Sequence, residues 1–149
     1  MDVDYQAYAE GEALLGWLNA TVNVSSAQPI DGNALLRQFA GAIQRQLRRE
    51  GAEIAHLKMT LDADESLGDL GVINLVRNDY VPELSQELND PLASGQLIIN
   101  IRAEVAPEIL RDAVDESLSK TRRNHRGITL EIEHLEFFRP GKPVPTHRG

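Results

Sequence analysis

Histidine is the side chain best suited to move protons or ligate a metal near neutral pH, and this chain has four, His56, His125, His134 and His147. They fall in separate segments, with no pair at the i, i+4 or HxH spacing that sets two imidazoles on one metal. His125 lies in TRRNHRG, whose cations repel a metal ion. His134 and His147 converge only if the end of the chain folds back, and they are the metal-ligand candidates. As a general base, His56 or His134 has only the chemistry of histidine in its favour. The acidic run DADESLGD lacks the glycine and terminal glutamate placement of an EF-hand loop and reads as a solvated turn. Cysteine is absent, which removes thiolate nucleophiles, disulfides and sulfur-based zinc sites. No P-loop, GxGxxG, GxSxG or HExxH occurs. The chain itself is expected to be non-catalytic and to carry no cofactor.

The remaining chemistry depends on which side chains share a face. LLGWLNATVNV alternates, with Leu18, Ala20, Val22 and Val24 on one side and Trp17, Asn19, Thr21 and Asn23 on the other, the pattern of a half-buried strand. SSAQPIDGN breaks that pattern. From Asp31, a plausible N-cap, Leu35, Leu36, Phe39, Ile43 and Leu47 share one helical face, with Gln38, Gln44, Arg45 and Arg48 elsewhere. That helix should stop at Gly51, with Arg48 and Arg49 at its negative end. IAHLKMTL alternates again, burying Ala55, Leu57, Met59 and Leu61 and exposing His56, Lys58 and Thr60.

LGVINLVRN is a third strand whose inner face is open between Ile73/Leu75 and Val72/Val76. NDYVPELSQELNDPLASG is a long excursion with a short helix conceivable at PELSQEL. GQLIINIRAEV is a strand with Leu97, Ile99, Ile101, Ala103 and Val105 inward and Asn100, Arg102 and Glu104 outward. Pro107 suits the first turn of a second helix with the stripe Ile109, Leu110, Ala113, Val114 and Leu118. ITLEIEHLEFF is the last strand. Its phase slips after Ile128, Leu130 and Ile132, which predicts a bulge near His134.

The order is that of an α+β fold, the ferredoxin-like split βαβ, with a mostly antiparallel sheet, two helices on one face, and an extra strand or long excursion in the middle. Residues 1–13 read as a lead-in, 14–138 as a single domain and 139–149 as a proline-rich basic tail. The uncovered sheet face should then present Trp17, Asn19, Thr21, Asn23, His56, Lys58, Thr60, Asn100 and Arg102, with Arg77 at its end. This set of donors and cations around one tryptophan fits a docking surface or an anion site. Stacking of RNA bases needs outward aromatic pairs on central strands, and none is predicted. A formal net charge of −8 opposes nucleic acid and anionic membranes alike. No apolar run nears the roughly 20 residues of a membrane span, so the expected location is cytoplasmic.

LGWLNATVNV, DGNALLRQFAGAIQRQLRREGAEIAHLKMTL, GQLIINIRAEVAPEILRDAV and HLEFFRPGKPVPTHR together resemble the C-terminal region of a subgroup of CobW-type proteins, GTPases associated with cobalamin synthesis and metal delivery. The resemblance spans about Leu14 to Arg148. In that family the nucleotide site and a cysteine-rich metal motif lie in an N-terminal P-loop domain. Neither motif is present here, so no nucleotide or metal residue carries over. The resemblance implies an accessory interaction domain whose partner is that GTPase domain, in cis or in trans. Its contact candidates are Trp17, Asn19, His56, Lys58 and Arg102, with Arg139, His147 and Arg148 of the tail. Pro140, Pro143 and Pro145 hold that tail extended, ready to lie along a surface. The competing expectation is a stand-alone regulatory domain that holds a small anion or a metal on the polar face and self-associates through its edge strands into a homodimer.

Overall fold

The computed structural model describes residues 15–64, 68–77 and 81–140. The lead-in and most of the tail, including His147, Arg148, Pro143 and Pro145, lie outside the described residues. The elements run β1 (Leu15–Ile30), α1 (Gly32–Arg49), β2 (Glu53–Ala63), β3 (Leu70–Leu75), β4 (Glu83–Gln86), β5 (Leu92–Glu104), α2 (Pro107–Asn124) and β6 (Ile128–Phe138). They form one six-stranded sheet in the order β4-β3-β2-β5-β1-β6, with every neighbouring pair antiparallel. Within it, β6-β1-β5-β2 is the split βαβ core, each helix returning the chain across one intervening strand. β3 and β4 extend the β2 edge, so the sequence between β2 and β5 supplies two strands where one extra strand or an excursion was expected.

Both helices cover the same sheet face, α1 over β2 and β3 and α2 over β1 and β6. Each does so because it carries a single apolar stripe. Leu35, Leu36, Phe39, Ile43 and Leu47 of α1 and Leu110, Ala113, Val114 and Leu118 of α2 are buried against Leu18, Val22, Leu57, Met59, Ile99 and Ile101 of the sheet. Asp31 caps α1 as expected, its Oδ1 accepting from the Ala34 N–H at 3.0 Å. Gly51 follows the helix with a φ of 69°, and Arg48 and Arg49 occupy the last turn.

Several expectations need correction. PELSQEL is no helix: Glu83–Gln86 is β4, paired with β3. A helix this short is poorly nucleated, whereas a strand satisfies the backbone groups on the open edge of β3. Asn33 then ties the following segment to α1, its side chain accepting from the Leu88 N–H at 2.8 Å and donating to the Leu88 carbonyl at 3.0 Å. Ala55 is exposed and Ile54 is buried instead, because the register shifts between Ile54 and His56. β1 continues to Ile30 through SSAQPI, where backbone pairing persists after side-chain alternation has ended. Gln44 is buried. β3 turns Ile73 and Leu75 inward, leaving Val76 exposed. The predicted slip in β6 is present: Thr21 pairs with His134 and Val22 with Ile132, so Glu133 bulges, although Ile132 remains exposed at the sheet edge.

Candidate functional site

With the helices on one side, the pleat fixes what the other side presents. The register sets Phe138, Trp17, Arg102 and His56 in one row across β6, β1, β5 and β2, and Glu136, Asn19, Asn100 and Lys58 in the next. His56 owes its place to the bulge at Ala55, which lets Ile54 point into the core and His56 point out beside Arg102. Trp17, Asn19, His56, Lys58, Asn100 and Arg102 line a shallow depression of about 200 Å³, floored by Ile101. Six residues assigned to the open face from the sequence, the five contact candidates Trp17, Asn19, His56, Lys58 and Arg102 among them, therefore come together.

The Arg102 guanidinium lies 4.2 Å from the centre of the Trp17 ring, a cation–π contact that holds the charge at a fixed height over the face. On its other side Trp17 meets Phe138, ring centres 5.9 Å apart and planes tilted by 42°. Sequence reasoning missed this outward aromatic pair, because it recognised the slip in the last strand without assigning a face to Phe138. The signal was the phase slip itself, which turns Phe138 outward once Phe137 faces in. The indole Nε1 of Trp17 is buried without an acceptor among the described residues, a cost of about 1–3 kcal/mol for such a donor.

A chain of side-chain hydrogen bonds runs away from the depression. Asn100 donates to Asn19 at 2.8 Å, and Asn19 donates to Glu136 at 3.2 Å. Further along the strands, Gln96 donates to Glu133 at 3.0 Å and to Asn23 at 3.3 Å. The cations of this face stand on β2 and β5 with the carboxylates Asp62 and Glu104 further along the same strands, and β6 adds Glu131, Glu133 and Glu136. Glu133 and Gln96 were also not singled out from sequence; the bulge that aims Glu133 onto this face was the legible clue.

His134 stands apart from the depression. It is exposed on β6, opposite Thr21, with Nε2 3.8 Å from Glu136. Three strand spacings, roughly 14 Å, separate β6 from the β2 strand that bears His56. Among the described residues no three His, Asp or Glu side chains are grouped to hold a metal ion. Arg139 directly follows Phe138 and so begins the tail at the Trp17 end of the face. Arg77 follows β3 and lies beyond the depression. No helix among the described residues is long and apolar enough to cross a membrane. Comparison with known proteins gave no matching family model, no matching curated protein and no matching solved structure.

Proposed function

We propose that this chain is a non-catalytic binding domain that engages its partner through the open sheet face, an anionic group of the partner seating between His56, Lys58 and Arg102. One observation carries this reading. Three cation-forming side chains and a tryptophan, contributed by three strands, line one depression, and no carboxylate is among its lining residues. Charge-bearing groups fixed beside an aromatic ring are the usual anchors of a docking surface. On the resemblance to CobW-type proteins, the partner is the P-loop GTPase domain in the cytoplasm, in cis or in trans. The service is then to couple nucleotide state to delivery of metal or client. That assignment rests on the resemblance alone.

The test is a titration of the chain with a separately prepared P-loop domain of a CobW-type protein, followed by calorimetry. Saturable binding that weakens at least tenfold in Arg102→Ala and in Lys58→Ala is the expected result, with no GTP turnover by the pure chain. Absent binding, or binding equal in all three proteins, would overturn the docking partner. GTP hydrolysis by the pure chain would overturn the non-catalytic assignment.

The carboxylate-free lining favours a second reading, in which a stand-alone domain holds a small anion in the same depression. Inorganic phosphate would then give a saturable heat that the same two substitutions weaken. Self-association through β6 has less to support it, because the bulge at Glu133 and the surrounding carboxylates are devices that discourage edge pairing.

A further inference from the structure

A second charged region lies on the opposite side of the molecule, in the groove between α1 and α2. The helices run antiparallel, since Gln38 near the start of α1 meets His125 at the end of α2 at 2.8 Å. This brings the α1 stripe Ala42, Arg45, Arg49 against the α2 stripe Glu116, Lys120, Arg123. Two adjoining hollows of about 160 and 320 Å³ share Ala42, Arg45 and Lys120 and make one elongated trough. The trough floor is small and supplies few donors: the Ser117 and Thr121 hydroxyls donate to their own helix, to the Ala113 and Ser117 carbonyls at 2.7 and 2.8 Å.

Beside the amides of Gln38, Gln46 and Asn124, the charged donors of the trough are its arginines and lysine. Glu116 is the one carboxylate among its lining residues, and it is paired with Arg123 at 3.6 Å. Arg45, Arg49 and Lys120 have no carboxylate partner among the described residues. Arg45 is also directed: a Cβ added at Gly41 would lie 3.3 Å from its Nη1, so the side chain runs back along α1. Such a concentration is notable in a chain of net charge −8, where distant carboxylates are screened beyond roughly 8–10 Å and leave the local field positive.

We infer that this interhelical trough is a second anion site, for a small molecule bearing two or more linked phosphoryl groups. The cations are strung along the trough and not gathered at one point. Arg45 and Arg49 are four residues apart on one helix, about 6 Å along its axis, and face Lys120 and Arg123 on the other. A linked polyphosphate places charge at each of these points, and arginine forks suit its oxygens. The site is independent of the open sheet face, which lies across the sheet from both helices.

Calorimetric titration with inorganic tripolyphosphate at low ionic strength tests it. Saturable binding should appear, at least tenfold tighter than for monophosphate, and should weaken at least tenfold in Arg45→Ala/Lys120→Ala. The open-face variant Lys58→Ala/Arg102→Ala should bind within twofold of the parent, which separates this site from the docking depression. No saturable heat overturns the inference, as does equal loss in the open-face variant. Tighter binding of single-stranded RNA with the same sensitivity to Arg45 and Lys120 would overturn the small-molecule assignment in favour of nucleic acid.

Discussion

Phe39→Ala is expected to destabilise the domain by about 3–5 kcal/mol, the cost of truncating an aromatic ring in a packed core. Phe39 is 1% exposed, the bulkiest fully buried side chain among the described residues, and sits mid-helix on the α1 stripe that faces the sheet. It belongs to one core cluster drawn from both helices and from β1, β2, β3, β5 and β6. Helix and strand backbones resist collapsing into the space the ring would leave, so the upper part of the range is the better expectation. Against a total of ~5–15 kcal/mol for a domain of ordinary stability, this is a large fraction. Urea unfolding should show a midpoint lowered by about 2 M with its slope unchanged. A shift below about 0.5 M would mean that Phe39 does not hold α1 to the sheet.

Gly16→Ala should also be destabilising, for a different reason. A Cβ at Gly16 would lie 2.4 Å from the Val105 carbonyl oxygen and 3.2 Å from the Pro107 nitrogen. Those are backbone atoms at the entry to α2, and they cannot rotate away. Making room means moving β1 or the start of the helix, which places the cost at about 1–3 kcal/mol or above. Trp17 is the next residue and the only tryptophan in the chain, so its fluorescence reports whether β1 has moved. Gly41→Ala is the control of sign. There the added Cβ meets only the far end of Arg45 at 3.3 Å, and the helix gains the alanine advantage of about 0.8–1 kcal/mol over glycine. The same substitution should therefore weaken one site and strengthen the other in paired unfolding curves. Equal effects at both would show that close backbone approach is not what keeps Gly16.

The contrast between those two glycines is the contrast between what can and cannot be read along a chain. Both appear in the sequence as isolated glycines within regular segments, and only the packing of α2 against the start of β1 distinguishes them. PELSQEL makes the same point. Its local pattern fits one helical turn, but the unpaired edge of β3 outweighs so short a helix and makes it a strand. Ala55 was misplaced because alternation assumes an unbroken register, and the bulge after Ile54 shifts parity by one. In β6 a comparable bulge was legible, since the run is long enough for two phases to be seen on either side of Glu133.

By itself the sequence determined the split βαβ order, the inward faces of β1, β5 and both helices, the cap at Asp31, and the company of Trp17, Asn19, His56, Lys58 and Arg102. Each of these follows from short-range periodicity, which records how one element meets its nearest layer. Tertiary structure alone decided the rest. It set Phe138 against Trp17, aimed Glu133 at Gln96, and drew Arg45 and Arg49 to within one groove of Lys120 and Arg123. In the sequence Arg49 read only as a complement to its helix dipole, Arg45 only as lying off the apolar face and Arg123 only as part of the basic run TRRNHRG. Residues more than seventy positions apart meet here because two helices, each with one apolar stripe, must share one sheet face, and no local pattern records what stands on the neighbouring helix.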